Sequence, residues 1–267
     1  TASGQVQKQL AEEGEDAAAR RLPSPLPWHR FPRGALAGNF LHGQLEWLAG
    51  EGFALDGAAT LQAALRRRCE RQGWGHRADD VVEWLRRVCS TPVAALGTSL
   101  AGLDRVLPEM EFWLPIDALR ARAVDDLCRE HILPGRPRPE LPERAMHGLL
   151  MGFADLVYEH DGRYGVLDHK SNALGLRDAD YTPAAMEAAM LEHRYDVQAA
   201  LYLLALHRLL RARLGAAYAP ARQLHGAVYL FLRGVGGAGG GGWHLAPPLA
   251  LIEALDALVG AGREVVA

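Results

Sequence analysis

Much of what this chain could be is excluded by what its 267 residues lack. No apolar run approaches the roughly 18 residues of a membrane span, and the N-terminus lacks the basic-then-apolar order of a secretory signal. A cytoplasmic globular protein is therefore the expectation. Cysteine is scarce: Cys69, Cys89 and Cys128 are odd in number, widely spaced and without a CxxC pair. That pattern suggests neither a disulfide framework nor a zinc or iron–sulfur site, and leaves packing as their role. A net charge of −3 gives no bulk attraction for polyanions, so any nucleic-acid contact must come from a local patch or a partner. "GVGGAGGGGW", Gly234 to Trp243, lacks the Lys-Ser/Thr of a P-loop and reads as a flexible loop. There is no other ATP-binding motif and no internal repeat.

Lysine is scarcer still. Of 29 basic residues only Lys8 and Lys170 are lysines, and the rest are arginines. Arginine is a bulky fork that stays charged, whereas lysine is a compact point charge that gives up a proton when its environment lowers its pKa. Lysine at 170, in a chain that otherwise uses arginine, hints at chemistry.

Along the chain, residues 1–30 are Ala/Glu/Gln/Arg-rich and then proline-rich, without a sustained apolar face. They read as a linker or interdomain arm, and a linker at the front leads to the expectation of another domain upstream. Residues 31–267 form the expected domain. In "GNFLHGQLEWLAG", Leu41, Leu45 and Leu48 share a helical face and Gly50 stops the helix; His42 sits beside that face with Glu46 one turn on. Helices continue to about Ser90 and carry the most basic region, Arg66 to Arg68, Arg71, Arg77, Arg86 and Arg87. Solvated helix faces explain these better than a phosphate track. "EMEFWLP", Glu109 to Pro115, alternates as a strand with Glu109 and Glu111 on one face. "PGRPRPELPE" is a proline-rich loop, Thr182 and Pro183 are an N-cap and first helical residue, "HRYD" divides two helices, and "GAVYLFLRG" is a buried strand. Helices, strand, hairpin, long helix and strand, in that order, make a mixed α/β domain.

The chemistry concentrates in "GFADLVYEHDGRYGVLDHKSN", Gly152 to Asn172. Asp161-Gly162 between two alternating apolar runs signals a two-residue type I′ hairpin turn. His160 then faces Arg163, Asp155 falls opposite Asp168, and Lys170 shares their face by the two-residue period. Like charges set opposite one another destabilise a sheet unless something neutralises them, and a hard divalent cation with room for substrate phosphate does so. The adjacent lysine can stabilise developing phosphoryl charge or orient an attacking water. A surface Asp–Lys salt bridge is the plain alternative, but "GFADLV" and "YGVLD" are too apolar for a strand pair lying loose in water. A cleft edge suits them better.

The Gly-hydrophobic-Asp strand, short hairpin and Asp-x-Lys strand resemble the PD-(D/E)XK nuclease superfamily. The longer run "GFADLVYEHDGRYGVLDHKSNALG", with "HRYDVQAALYLLALHRLL" and "GAVYLFLRGV", resembles its RecB-like exonuclease domains, from "FPRGALAGNFLH" almost to the end. That resemblance implies a restriction-endonuclease-like α/β core, a mixed central sheet flanked by helices, with a helical N-terminal part. It implies that Asp155 and Asp168 bind Mg²⁺, joined by His42 and the backbone carbonyl of His169, with Lys170 acting on the water and scissile phosphate. His42 suits Mn²⁺ more comfortably than Mg²⁺. Glu109 matches the family's acidic residue on the preceding strand, with Glu111 of the same parity as its rival. Gln198 and Tyr202 match a Gln-x-x-x-Tyr signature and are expected to position substrate. Ala154 stands where the superfamily name has proline, and His169 fills the variable middle of Asp-x-Lys; neither removes a functional group.

The resemblance further implies an Mg-dependent exodeoxyribonuclease that leaves 5′-phosphate ends. Its DNA, single-stranded, would come from a helicase domain upstream in the same polypeptide with RecC/RecD-type subunits, in double-strand-break repair and recombination. Two alternatives stand beside it: a non-catalytic docking or regulatory module on a nuclease fold, and a stand-alone RecB-like nuclease. A docking fold has no reason to keep a costly like-charge pair.

Overall fold

The computed structural model describes residues 26–260, so the arm expected over residues 1–25 and the last seven residues lie outside it. Four helices come first: α1 (Pro27–Arg30), α2 (Ala35–Gly50), α3 (Ala59–Arg71) and α4 (Ala78–Ser90). Strand β1 (Arg105–Arg120), helix α5 (Ala121–His131) and the hairpin β2 (Ala145–His160) and β3 (Arg163–Lys170) follow. Helices α6 (Pro183–Glu192), α7 (Tyr195–Leu214) and α8 (Pro220–Gln223) lead to β4 (Leu224–Phe231), β5 (Gly242–Leu245) and α9 (Leu249–Gly260).

The five strands form one sheet in chain order, antiparallel except where β3 and β4 run parallel. Parallel neighbours need a crossover, and α6 and α7 supply it. Thr182 caps α6 by accepting from the Ala185 N–H at 3.2 Å, with Pro183 in the first turn, and Arg194 at φ 56° separates α6 from α7. Alternation along the inner strands feeds two cores. Leu156, Tyr158, Leu167, Val228 and Leu230 pack against the N-terminal helices. Val157, Val166, Ala227, Tyr229 and Phe231 pack against α7 and α9. A mixed sheet between helical layers is the expected α/β architecture.

The hairpin register is as the Asp-Gly turn predicts. His160 pairs with Arg163 and the ladder runs back to Leu156 opposite Leu167. Asp161 and Gly162 have φ of 48° and 71°, the two left-handed residues of a type I′ turn. At the Leu156–Leu167 pair β3 ends its pairing with β2, while β2 continues beside β1 as far as Ala145. Asp155 lies at this fork.

Three expectations need correction. The loose arm does not extend to residues 26–30: Trp28 is 1% exposed, its indole donates to Asp178 at 2.7 Å, and the buried Arg233 guanidinium donates to the carbonyls of Trp28, Phe31 and Pro32. The prolines there shape a close-packed entry to the helical layer. Strand β1 is also longer than Glu109–Pro115, because its pairing with β2 runs on into an arm where Trp113, Leu149, Met151 and Phe153 remain about half exposed. Finally, the glycine-rich stretch is a tight turn, not a flexible loop. A Cβ on Gly241, at φ 72°, would stand 2.5 Å from the Phe231 carbonyl oxygen, and one on Gly242 would stand 2.4 Å from Val93. The glycines are there because the backbones approach so closely.

Five arginines of the basic region serve structure, while Arg67 and Arg71 are exposed. Arg68 stacks over Trp47 and donates to Gln44, Arg77 lies over Phe31, Arg87 lies over Trp28, and Arg66 and Arg86 pair with Asp79 and Asp56. The proline-rich loop contributes Arg138, whose fully buried guanidinium meets Asp196 at 2.7 Å. Arg194 ties Asp196 to Asp125, so this ion-pair network fastens α5, the loop and α7 together.

Candidate active site

The fork where β2 and β3 part opens beneath the N-terminal half of α2, and an open cleft of about 640 Å³ lies there. Its walls include Arg33, Asn39, His42 and Glu46 from the α2 side, Glu109 from β1, and His169, Lys170 and Asn172 from the end of β3. Helix α2 is anchored by Leu41, Leu45 and Leu48, each fully buried, which turns His42 and Glu46 toward the sheet. Gly38 lets the helix come close to the chain leaving β3, since a Cβ there would lie 3.1 Å from Ser171 Oγ.

Asp155 meets three donors. One of its oxygens, Oδ2, accepts the His169 backbone N–H at 2.8 Å, and lies 3.1 Å from His42 Nδ1 and 3.4 Å from His169 Nδ1. Burial pushes the Asp155 carboxyl up, but hydrogen bonds and positive charge from His169 and His42 outweigh it and hold the group well below the usual carboxylate range. His42 responds in kind: burial lowers its pKa, and the Asp155 carboxylate raises it by more. Burial dominates at His169, which is held below the ordinary histidine value.

Asp168 has the opposite environment. It is 3% exposed, and burial followed by the nearby Asp155 charge pushes its carboxyl up to about 6 against the pull of Lys170. Lys170 Nζ lies 2.6 Å from Asp168 Oδ1 and donates to Gln198 Oε1 at 3.0 Å. Gln198 Nε2 in turn donates to the Tyr202 hydroxyl at 2.7 Å, and that hydroxyl hydrogen-bonds with Asp168. The i, i+4 spacing of Gln198 and Tyr202 on α7 closes this ring against β3.

Of the candidates read from the sequence, His42, Glu109, His169 and Lys170 line the cleft, Asp155 meets His42 and His169 at its edge, and Asp168, Gln198 and Tyr202 stand behind Lys170 in the hydrogen-bonded ring. Glu109 stands at φ 45° in a break of the β1–β2 pairing and shares a hydrogen bond with Glu46; burial, then the Glu46 and Asp155 charges, raises its pKa. Glu111 is exposed and is absent from the cleft walls. Asp155 and Asp168, expected opposite one another, lie just past the last β2–β3 pair, Leu156 with Leu167, and turn to different partners, Asp155 toward the histidines and Asp168 toward Lys170. His169, expected to contribute its carbonyl, also brings its imidazole to Asp155. Glu46 was visible as the residue one turn after His42, but its approach to Glu109 depends on tertiary packing. Tyr195 and Tyr229, which face the Lys170 amine, carry no local signal.

One ligand atom from each of His42, Asp155 and His169 lies within 4.8 Å of the others, a span that one cation can bridge. A half-buried carboxylate held ionised, with imidazole nitrogens beside it and an open cleft next to it, fits a divalent ion of the Mg²⁺ or Mn²⁺ kind. The Nε2 of His169 is buried without a hydrogen-bond partner.

Comparison with known proteins agrees with this geometry. A family model described as the PD-(D/E)XK nuclease superfamily matches residues 18–240. The RecBCD enzyme subunit RecB of Escherichia coli is 42% identical over 212 residues, 78% of this chain and 17% of that protein. The subunit of the same name from Mycobacterium tuberculosis is 35% identical over 280 residues, 91% of this chain and 25% of that protein. The Haemophilus influenzae subunit is 35% identical over 183 residues, 67% of this chain and 15% of that protein. The chain thus spans a quarter or less of the length of these relatives. Among the described residues no helix is long and apolar enough to cross a membrane.

Proposed function

The chain belongs to the PD-(D/E)XK nuclease superfamily, and from that premise we propose that it is a metal-dependent deoxyribonuclease domain, the nuclease part of a RecBCD-type helicase-nuclease acting in double-strand-break repair and recombination. The observation that carries this reading is the Asp168–Lys170 ion pair at 2.6 Å, set beside the His42, Asp155 and His169 cluster in an open cleft. A docking module has no use for a buried carboxylate, a second one beside it and a lysine kept together at such electrostatic cost.

The residues divide the work. Asp155, Asp168, His42 and His169 would hold the cation, with Mg²⁺ the expected ion and Mn²⁺ the alternative favoured by the imidazoles. When bound, that cation supplies positive charge against the scissile phosphate and acidifies a water nucleophile. Lys170 stands at the cleft wall as a cation that can contact a phosphate oxygen and neutralise charge developing during in-line displacement. Glu109 and Glu46 share a hydrogen bond at the opposite wall and offer acceptors that orient water. Gln198 and Tyr202 hold the Lys170–Asp168 pair in register and place the substrate strand.

Single-stranded DNA is the proposed substrate, delivered by a helicase domain of the same polypeptide with RecC/RecD-type subunits in the cytoplasm. Delivery through a partner accounts for a nuclease domain whose net charge is −3. The test is cleavage of end-labelled single strands in Mg²⁺ by the chain alone and by the whole assembly. Fragments ending in 5′-phosphate support the proposal, and an intact strand with the whole assembly overturns it.

A further inference from the structure

The lysine that the sequence keeps at position 170 is held by more than its ion pair. Its Nζ lies 3.8 Å from the ring centroid of Tyr195 and 5.2 Å from that of Tyr229. The two rings stack on one another at 5.8 Å with planes 18° apart. The Tyr229 hydroxyl donates to the Tyr195 carbonyl at 3.0 Å and lies 3.3 Å from Gln198 Oε1, the same oxygen that accepts from Lys170. Parallel pairing of β3 with β4 fixes this arrangement, because it sets Asp168 opposite Tyr229. Tyr195 is the first residue of α7, just after the left-handed Arg194, so the helix start places its ring over the amine.

We infer that Tyr195 and Tyr229 form an aromatic seat for the Lys170 ammonium, and that both are positioning residues for cleavage. The inference rests on the nuclease reading for its functional half only. An ammonium over an aromatic face is attracted by the ring quadrupole, most strongly where water is excluded, and Lys170 is 8% exposed. A four-carbon side chain has many rotamers, and the Asp168 carboxylate, 2.6 Å from the amine, restrains it from one side only. Two rings on one side, the Gln198 oxygen on another and Asp168 on a third leave the amine one position, at the wall of the cleft. Arginine does not fill the same role, because its planar fork is larger than the seat between Asp168 and Gln198. This is a physical reason for lysine at this place in an arginine-rich chain.

That scarcity supplies the test. With only Lys8 and Lys170 present, lysine labelled with ¹³C at Cε gives two side-chain signals, and a Lys8→Arg variant assigns them. The Cε methylene protons next to the Lys170 Nζ, which lies over the Tyr195 ring, are expected upfield of those of Lys8. Tyr195→Leu moves them back, and Tyr195→Phe, which keeps the ring, does not. In cleavage assays Tyr195→Leu lowers kcat about tenfold with KM within about twofold, Tyr195→Phe restores it, and in a Lys170→Ala background Tyr195→Leu costs nothing further. A Lys170 signal in the position of a free lysine, or one unmoved by Tyr195→Leu, overturns the seat. A shift that responds to Tyr195 while kcat does not overturns the positioning role. A chain that shows the shift and cuts no DNA in the whole assembly retains the seat and loses the nuclease reading.

Discussion

Asp155 and Asp168 stand on neighbouring strands of one hairpin, yet their surroundings drive their carboxyls in opposite directions. Asp155, among a backbone N–H and two imidazoles, is held ionised, whereas Asp168, buried beside that negative charge, is pushed up to about 6. On the nuclease reading proposed above, a cation beside them would relieve the charge of both carboxylates.

The first consequence concerns stability. A carboxyl whose folded pKa is raised stabilises the fold fully below its unfolded value near 4, and loses that contribution as pH rises through about 6. Asp168→Asn, which mimics the protonated acid, is therefore expected to stabilise the metal-free chain by roughly 1–3 kcal/mol at pH 7 and by little at pH 4. Denaturant melts at the two pH values measure this, and a destabilised variant at pH 7 contradicts it.

Metal uptake should compete with protons. The Asp155 carboxylate keeps His42 protonated above the ordinary histidine pKa, and Asp168 retains its proton to about 6. Ligand groups must shed those protons to bind a cation. Calorimetric titration with Mn²⁺ is expected to show affinity rising from pH 6 to pH 8, with a heat that depends on the buffer's ionisation enthalpy. Affinity constant over that range would show that neither group is a ligand.

Behind Tyr195, the Arg138, Asp196, Arg194 and Asp125 network contains the most buried ion pair among the described residues, Arg138 with Asp196. Removing one partner strands the others in low dielectric, so Arg138→Ala is expected to cost about 3–5 kcal/mol. The Asp125 carboxyl, which burial raises and Arg194 and Arg129 lower by more, lies below its ordinary value. Its contribution is present above pH 4 and is lost as pH falls toward that depressed pKa. Urea unfolding of the wild-type chain at pH 7 and pH 3 should show the loss.

How much of this was legible beforehand depended on whether a contact was local. The hairpin could be read because Asp161-Gly162 fixes one pair and every other pair follows. Its last step, the divergence of Asp155 and Asp168 to separate partners, could not, since it depends on where β2 leaves β3. Strand parity put Glu109 and Glu111 on one face, and only α2, approaching through Glu46, distinguishes them. The family resemblance drew in His42, a helical residue more than a hundred positions from its partner. The glycine run was misread because glycine serves mobility and close packing alike, and only the neighbouring backbones decide which.

The tight glycine turn supplies its own test. Gly241→Ala places a Cβ against the Phe231 carbonyl in a left-handed backbone and is expected to cost at least about 2 kcal/mol. Gly239→Ala, with open space around it, should stay within about 0.5 kcal/mol of the parent. Equal thermal midpoints for the two variants would restore the flexible-loop reading.

The most direct measurement is cleavage of end-labelled single-stranded DNA in Mg²⁺ by the chain and by the proposed RecBCD-type assembly, beside the Lys170→Ala and Asp168→Asn variants and an EDTA control. The expected result is cutting by the wild type alone, abolished by EDTA and reduced at least about a hundredfold by either substitution while both variants remain folded. Folded variants that cut at the wild-type rate would contradict the assignment of the β2–β3 hairpin as the catalytic centre.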